Sequence, residues 1–388
     1  MNPVTGSGES FPIPPSSFKT IILSLLNMIA RRTRRILVAP LDWGLGHAAR
    51  CVPLVRALLA RGHEVMTAGD NGLIREAFPS VPSLSLTPYD MTYAASPLCL
   101  MLKFPAMISR VWRRSVRERR ELNALIDRHR IEVVISDQRF GCHSPKAVSI
   151  YMTHQLCVKM PRGFGWFEPL LARGLRYAAN RFNEVWIPDF PGGVNLTGDL
   201  TRKHPLPRRY RFIGPLSRFG YEGELPGEPE KTDLLVMISG PEPQRSLFEK
   251  QVLPQVAGFK GRAVVLLGRP GTAVAGKFPP NISVFPHLPM ERIGKLILGA
   301  GAIVCRGGYT TVMELFSLRK KALLVPTPGQ TEQEYLCEYL AGLGLFAAMP
   351  QDRFDLREGM EKLDKVRPGF ALDADDGLLR EAFDAWDL

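Results

Sequence analysis

A histidine and an aspartate in the first half of the chain come directly after apolar, strand-like segments. His47 comes shortly after the run 35–40, RILVAP, and Asp137 follows the run 131–136, IEVVIS. An imidazole titrates near neutral pH and can take a proton from a hydroxyl group, and a carboxylate can orient it. We interpret His47 as a general base, with Asp137 as its orienting partner or as an alternative base. The ordinary alternative for both residues is a helix cap or a structural hydrogen bond.

Other residues of the same loops favour a place for a substrate beside this pair. Gly44 and Gly46 allow close approach of the backbone, and His154 follows a further apolar run, 148–153. Because the carboxyl ends of parallel strands meet at one edge of a sheet, we expect Gly44, Gly46 and His154 to line the acceptor side of a cleft. Loop capping is an equally good interpretation of His154.

The segment 301–335 contains a glycine turn suited to an anion. An apolar strand pattern ends before Gly307 and Gly308, and a helical pattern follows them. Such a turn points free backbone N–H groups and the positive end of a helix dipole at one spot, where phosphate commonly binds. Thr310 would lie near the phosphates, and Glu314, one turn deeper, suits a ribose diol. An ordinary turn followed by a solvated glutamate is the alternative.

The run 305–314, CRGGYTTVME, resembles the motif Cys-Arg-Ser-Gly-x-x-Thr-Val-x-Glu of glycosyltransferase family 28, with its spacing intact. The next loop, 326–335, PTPGQTEQEY, keeps the leading proline and the Gln-x-Tyr of that family's second loop. Gln333 and Glu334 thus stand where the family has paired glutamines that read the donor sugar, with Glu334 a departure. The sequence is similar to the family's carboxyl-terminal domain, whose type member is the peptidoglycan-precursor N-acetylglucosaminyltransferase.

This resemblance implies a nucleotide-sugar donor, most simply a UDP-sugar, and an inverting reaction that needs no metal and no cofactor. Ser239 and Gly240 match part of the family's first phosphate loop, and Phe285 and His287 lie where the family holds the uracil ring. The donor site implied by the resemblance contains Ser239, Gly240, Phe285, His287, Arg306, Gly307, Gly308, Thr310, Thr311, Glu314, Gln330, Gln333 and Glu334. The match of the first loop is weaker and covers Gly46 and His47.

Apolar strand patterns alternate with helical patterns through both halves of the chain, which predicts an α/β protein with two tandem Rossmann-like domains facing a cleft. The family resemblance implies that this architecture is the GT-B fold. One predicted helix covers residues 51–61, after the His47 turn. We predict an amino-terminal extension (1–33), an acceptor domain (34–217), a linker (218–232) and a donor domain (233–388). A last helix, about 375–386, is expected from the resemblance to cross back to the first domain.

Charge is unevenly distributed along the chain. Residues 1–220 carry 31 lysines and arginines against 15 acidic residues, a net +16, whereas the remainder is at −4. Arg110, Arg113, Arg114 and Arg117 share a helical stripe. Apolar residues, among them Leu102 and Phe104, precede this basic stripe, and the combination predicts an anionic membrane surface as partner. A core-packed helix with a solvated face is the alternative, and no motif indicates nucleic acid.

Cysteine usage and the start of the chain indicate the compartment. Six cysteines without close pairs favour buried thiols in a reducing cytoplasm, and no cluster suggests a metal site. The apolar run 18–30 is too short to span a bilayer. Together with the basic stripe and the family resemblance, these features lead us to expect a cytoplasmic enzyme that is peripheral on the inner face of the plasma membrane. We expect it to glycosylate a lipid-linked or glycan acceptor. The alternatives are a UDP-sugar hydrolase or 2-epimerase, and a non-catalytic nucleotide-sugar-binding scaffold.

Overall fold

The computed structural model of the 388-residue chain describes residues 32–42, 45–69, 72–89, 97–161, 163–219, 227–274, 276–366 and 377–388. For residues 97–105 it describes the helix but not the side chains. Gly44, residues 1–31 of the predicted extension and residues 220–226 of the predicted linker therefore lie outside the described residues. The side chains of Leu102 and Phe104 lie outside them as well.

The first sheet contains seven strands, all paired in parallel, in the order β3-β2-β1-β4-β5-β6-β7. The strands are β1 Arg35–Pro40, β2 Glu64–Ala68, β3 Ser83–Leu84, β4 Val133–Asp137, β5 Val148–Met152, β6 Glu184–Ile187 and β7 Tyr210–Phe212. The helices among them are α1 Leu45–Ala60, α2 Gly72–Ala77, α3 Pro97–His129, α4 Glu168–Ala179 and α5 Asp199–Arg202.

The second sheet contains six parallel strands in the order β10-β9-β8-β11-β12-β13. The strands are β8 Thr232–Met237, β9 Ala263–Leu266, β10 Ile282–Phe285, β11 Ala300–Cys305, β12 Leu323–Leu324 and β13 Ala347–Ala348. The helices of this half are α6 Gln244–Ala257, α7 Met290–Gly299, α8 Tyr309–Ser317, α9 Thr331–Gly342, α10 Leu356–Asp364 and α11 Gly377–Asp384. The predicted α/β class with two Rossmann-like sheets is confirmed.

Strand order determines where each sheet can bind a ligand. The chain reverses direction across the sheet between β1 and β4 in the first sheet, and between β8 and β11 in the second. Connections at such a point run to opposite faces and leave a crevice at the carboxyl ends of the strands. His47, in the first turn of α1, and Asp137, at the end of β4, flank the first crevice. The loops that carry Ser239 and Gly307 flank the second.

The central strands are mainly apolar and buried because helices cover both faces of each sheet. In β1, Ile36, Leu37, Val38 and Ala39 are all fully buried. The five cysteines in the described residues are also buried and free, as predicted for thiols: Cys51, Cys142, Cys157, Cys305 and Cys337.

The carboxyl-terminal helix α11 crosses back to the first domain, as expected. Phe383 packs edge-on against Trp186 of β6, with ring centroids 5.7 Å apart, and the Arg61 guanidinium lies 5.0 Å from the Phe383 ring. Just after the helix, the Trp386 indole donates to Glu184 at 2.8 Å. One hydrophobic core consequently includes residues of both sheets and of this helix.

Helix α1 begins earlier than the predicted helix 51–61. It starts at Leu45, so His47 lies in its first turn instead of in a preceding loop. Gly44 and Gly46 favoured a turn in the sequence, but a contact between the two domains stabilises the helical start. The carbonyl of Gly46 accepts a hydrogen bond from the Thr310 hydroxyl of the second domain at 3.1 Å.

Candidate active site

His47 and Asp137 contact each other, as the sequence predicts. His47 Nδ1 lies 2.9 Å from Asp137 Oδ2, at the point where α1 begins and β4 ends. The Asp137 side chain is fully buried, whereas 12% of the His47 side chain remains exposed. The register of β1 with β4 pairs Pro40 with Asp137, which places the two loops side by side. The imidazole can therefore reach a substrate while the carboxylate holds it from behind.

Arg50 joins this pair from one turn further along α1. Its guanidinium donates to both oxygens of Asp137, at 2.8 Å from Nε and 2.5 Å from Nη2. Nη2 also lies 2.6 Å from His47 Nδ1. Because Arg50 is buried and always charged, Asp137 must remain ionised beside it.

The surroundings shift the pKa values of the pair in a direction that suits a base. Burial alone would raise the pKa of the Asp137 carboxyl, but Arg50 and His47 lower it to about 2. Burial, with the Arg50 cation, lowers the pKa of His47 below its ordinary value, against the opposing effect of Asp137. His47 is therefore neutral at pH 7 and able to accept a proton.

The first turns of α1 and α8 face each other across the domain contact. The Thr310 hydroxyl donates to the Gly46 carbonyl, and a Cβ added at Gly46 would lie 3.2 Å from Thr310 Oγ1. No side chain caps α8, whose amino end consists of Gly308, Tyr309 and Thr310. The half-buried Thr311 completes this turn. Two positive helix ends and the Arg50 cation thus converge near His47, an arrangement that favours an anion.

The adjacent glycines 307 and 308 have different roles. A Cβ on Gly307 would lie 2.2 Å from Cys337 Sγ in α9, whereas a Cβ on Gly308 would meet nothing within 4 Å. Gly307 therefore lets the turn pack against α9. Gly308, with φ of −71°, leaves open space at the amino end of α8.

We predict that Gly307→Ala lowers the free energy of unfolding by about 1–3 kcal/mol, because the new methyl group overlaps Cys337. Gly308→Ala is the matched control and is expected to change it by less than about 0.5 kcal/mol. Urea denaturation of both variants and of the double variant Gly307→Ala/Cys337→Ala tests this. The double variant should recover most of the loss; equal stability of the two single variants would contradict the packing role.

Glu314 lies one turn beyond Thr310, as predicted, and is buried. Its Oε1 is 2.7 Å from the Nε of Arg218, which precedes the undescribed residues 220–226. Burial raises the pKa of Glu314, and Arg218 counteracts this effect. A ribose diol that binds this carboxylate must therefore share it with Arg218 or displace that side chain.

The side chains of Gln333 and Glu334 form hydrogen bonds to the loop that precedes α9. Gln333 Oε1 accepts from the Thr327 N–H at 2.9 Å, and its amide donates to Gln330 Oε1. Glu334 Oε1 accepts from the Gly329 N–H at 2.9 Å. Two preceding residues of this turn reach the first domain: Thr331 donates to the Lys159 carbonyl at 2.6 Å, and Glu332 contacts His154.

Ser239 and Gly240 are exposed in the loop after β8, and Gly240 has a φ of +109° that favours glycine. Arg306 lies behind this loop and is buried. It donates to backbone carbonyls, including those of Ser239 at 3.3 Å and Pro326 at 3.2 Å. Burial lowers the pKa of this guanidinium to about 10. Arg306 therefore ties two loops of the predicted donor site together.

Phe285 and His287 are half-buried and lie at the end of β10, apart from the His47 contacts. The Arg292 guanidinium lies 4.9 Å from the Phe285 ring centroid, so one face of the ring is already covered. The structure thus divides the predicted residues. His47, Asp137, Gly46, His154 and Thr310 belong to one connected group, and the remaining donor-side residues lie elsewhere in the second domain.

Three residues of this connected group were missed in the sequence: Arg50, Tyr309 and Glu332. Arg50 is three residues after His47 and thus on the same helical face, a signal that was present in the spacing. The ring of Tyr309 stacks on His154, with centroids 4.5 Å apart, and its hydroxyl donates to the Pro188 carbonyl at 2.6 Å. These contacts join the two domains and cannot be read from either half of the sequence alone.

Comparison with known proteins agrees with this architecture. Residues 272–368 match the model of the glycosyltransferase family 28 C-terminal domain. A glycosyltransferase of Methanosarcina mazei is 24% identical to the chain over 75% of the chain and 79% of the relative. A glycosyltransferase of Methanopyrus kandleri is 25% identical over 83% of the chain and 92% of the relative. An N-acetylglucosamine transferase of Desulforudis audaxviator, named for UDP-N-acetylglucosamine and a pyrophosphoryl-undecaprenol acceptor, is 29% identical over 36% of the chain and 47% of the relative.

Solved structures of glycosyltransferases share the fold. The calicheamicin glycosyltransferase CalG4 superimposes with a TM-score of 0.60 at 17% identity, over 92% of this chain and 98% of that chain. SnogD from Streptomyces nogalater superimposes with a TM-score of 0.61 at 16% identity, over 92% of this chain and 100% of SnogD. SsfS6 of Streptomyces sp. SF2575, in complex with thymidine diphosphate, superimposes with a TM-score of 0.55 at 16% identity, over 90% of this chain and 99% of SsfS6.

Fold and relatives together define a glycosyltransferase of the GT-B type. Residues 272–368 of its second domain are similar to the carboxyl-terminal domain of glycosyltransferase family 28, and the predicted nucleotide turn at Gly307 lies within the matched residues.

Proposed function

We propose that the protein is an inverting, metal-independent hexosyltransferase that moves a sugar from a UDP donor to a lipid-linked acceptor at a membrane surface. The observation that carries this proposal is the meeting of a neutral His47, oriented by Asp137, with the uncapped amino end of α8. A base for the acceptor and a positive site for the leaving diphosphate thus lie on opposite sides of one contact.

The proposed step is a single displacement. The acceptor hydroxyl gives its proton to His47 Nε2 while its oxygen bonds to the anomeric carbon of the donor sugar. The bond between that carbon and the diphosphate oxygen breaks, and the nucleoside diphosphate leaves with the electron pair. Backbone N–H groups at the start of α8 meet the growing negative charge, as in an oxyanion site. Attack from the face opposite the leaving group inverts the anomeric centre.

Two comparisons support a nucleotide donor of this kind. The relative from D. audaxviator is named for a UDP-sugar, and the solved SsfS6 structure contains thymidine diphosphate. We favour uridine because the family 28 match covers the crevice with Glu314 and the turn at Gly307. Glu314 is the group proposed to bind the ribose.

A surface on the first domain supports a membrane-bound acceptor. Apolar side chains on α3 and on the α4 segment are exposed, among them Trp112 at 58%, Trp166 at 73% and Tyr177 at 64%. The Arg181 guanidinium lies 5.7 Å from the Trp112 ring and 5.2 Å from the Tyr177 ring, and so joins the two helices into one patch. We call Trp112, Tyr177 and Arg181, together with the exposed Trp166 just before α4, the aromatic patch.

The predicted basic stripe lies on α3, the helix that also carries Trp112. Arg110, Arg113 and Arg117 are exposed and Arg114 is half-buried. Arg117 pairs with Glu121 at 3.0 Å. Aromatic rings beside arginines suit the interface of an anionic bilayer. Among the helices of the described ranges, none has both the length and the apolar character to span a bilayer.

We predict that Trp112→Ala and Trp166→Ala each weaken binding to vesicles about 10-fold, because each removes a large aromatic surface from the lipid interface. The measurement is co-sedimentation with vesicles of phosphatidylcholine and phosphatidylglycerol. Leu343→Ala, at a leucine 43% exposed in the second domain, is the control and should bind like the unaltered chain. Binding equally well after both tryptophan replacements would exclude this patch as the membrane contact.

The function is tested by incubating the protein with tritium-labelled UDP-sugars and a bacterial lipid extract. We expect label from one donor to enter the lipid-soluble fraction, and the His47→Gln variant to lose this transfer. Release of free or isomerised sugar without acceptor would instead support the hydrolase or epimerase. A protein that binds the donor but never releases UDP would contradict the proposed reaction.

A further inference from the structure

Polar contacts lead without interruption from His47 in the first domain to a carboxylate of the second. Arg50 contacts both His47 and Asp137, and its Nη1 lies 3.0 Å from His154 Nδ1. His154 Nε2 lies 3.0 Å from Glu332 Oε1 in the first turn of α9. Glu332 is thus connected to the base through two side chains of the first domain.

His154 has one consistent protonation in these contacts. The Arg50 guanidinium can only donate, so His154 Nδ1 must accept. The Gln138 amide nitrogen, 3.3 Å from the same atom, agrees with this assignment. The proton of the neutral ring therefore resides on Nε2 and is donated to Glu332. The second domain holds the ring in this orientation through Glu332 and through the stacked ring of Tyr309, which lies 4° from parallel.

The position of Arg50 decides the tautomer of His47. Asp137 can only accept a proton from His47 Nδ1, whereas Arg50 Nη2, 2.6 Å away, can only donate to it. Donation from Arg50 would place the ring proton on Nε2, where His47 could no longer act as a base. A contact that draws the guanidinium toward His154 therefore favours the active tautomer.

We infer that Glu332 is a positioning residue for the His47 base. It orients His154, which holds one edge of the Arg50 guanidinium while Asp137 holds the other. The base is thereby set in its working tautomer when the second domain contacts the first. This inference rests on the proposed role of His47.

Four charged or titratable groups face His47: Arg50 on its own helix, Asp137 at the end of β4, His154 after β5 and Glu332 on α9. A carboxylate stabilises a nearby imidazolium. Removal of the Glu332 charge therefore makes His47 harder to protonate and moves its titration to lower pH.

The test is a pH titration of ¹⁵N-histidine-labelled full-length protein by NMR, which reports both tautomer and protonation without substrate. In Glu332→Gln, we expect the His47 midpoint to fall by about one pH unit. The neutral amide accepts the His154 proton more weakly than the carboxylate, so the neutral His47 ring should carry its proton on Nε2 in a larger share of molecules. Turnover should fall about 10-fold with little change in KM for the donor. Glu338→Gln, an exposed glutamate on the same helix, is the control and should match the unaltered chain.

Glu332→Asp separates charge from shape. It retains the carboxylate, so its His47 midpoint should stay within about 0.3 pH unit of the unaltered chain. The inference is overturned if Glu332→Gln titrates like Glu338→Gln, or if Glu332→Asp shifts as far as Glu332→Gln. Failure of the proposed function has a different signature: His47→Gln would keep its turnover, whatever the NMR titration shows.

Discussion

Replacement of His47 by glutamine is expected to lower kcat for sugar transfer about 10³-fold, because the acceptor hydroxyl loses its general base. Binding of the nucleotide should change little, since the donor-side contacts lie on α8 and in the second crevice. Turnover with labelled UDP-sugar gives kcat, and calorimetric titration with UDP gives the affinity. His129→Gln, in the last turn of α3, serves as the control and should keep full activity.

The pH dependence provides a second measure of the same role. Because burial and Arg50 lower the pKa of His47, the unaltered enzyme should remain active below pH 6.5, with its acid limb beneath the ordinary histidine value. Unchanged kcat in His47→Gln would remove this residue as the base. An acid limb well above pH 6.5 would mean that another group controls the rate.

Replacement of Arg50 by methionine is expected to lower the free energy of unfolding by about 3–5 kcal/mol at pH 7, because it leaves the fully buried Asp137 without its cation. The double variant Arg50→Met/Asp137→Asn removes both charges and should recover a large part of that loss. Urea denaturation of the single and double variants measures the effect. If Arg50→Met lowers the free energy of unfolding by less than about 1 kcal/mol, the buried Asp137 does not depend on its ion pair with Arg50.

The destabilisation should also depend on pH with a defined sign. In the unaltered chain, the pKa of Asp137 is about 2, so its contribution to stability is present above about pH 4 and is lost as the pH falls toward 2. Without Arg50, burial raises the pKa of this carboxyl above its unfolded value, and the penalty disappears once the group is protonated. The difference between the two proteins should therefore shrink from pH 7 to pH 4.

Much of the framework could be predicted from the sequence because parallel sheets leave a strong pattern. The buried strands β1, β4 and β11 are short, continuous apolar runs with polar or glycine residues at their ends, so both their location and the placement of His47, Asp137 and Gly307 followed. The edge strands β3 and β13 were not predicted. Each has only two residues, and neighbouring strands define them more than composition does.

The interior of the site was predicted less well because its contacts cross between domains. The roles of Glu332 and Tyr309 follow from their contacts with His154, which is more than 150 residues away in the chain and could not be paired with them from the sequence. Gln333 and Glu334 were predicted by resemblance to read the donor sugar, and this remains a prediction; in the structure their side chains bond to their own loop. Spacing could have indicated Arg50, since it stands one helical turn from His47.

The aromatic patch could be predicted only in part from the sequence. The basic stripe on α3 was visible from its periodicity, but Tyr177 and Trp166 come from a segment more than 50 residues later than Trp112. Arg181, just after α4, lies near the rings of both Trp112 and Tyr177 and so brings these two side chains together. Sequence periodicity within one helix cannot reveal such a neighbour.

The most direct test of the central claim is the thermal stability of the full chain titrated with UDP and, in parallel, with TDP. A nucleotide that binds the native site should raise the unfolding free energy by about 2.7 kcal/mol at 100 times its Kd, and we expect UDP to produce this saturable rise at lower concentration than TDP. The absence of any shift with either nucleoside diphosphate at millimolar concentration would contradict a nucleotide-sugar site at the turn formed by Gly307 and Gly308.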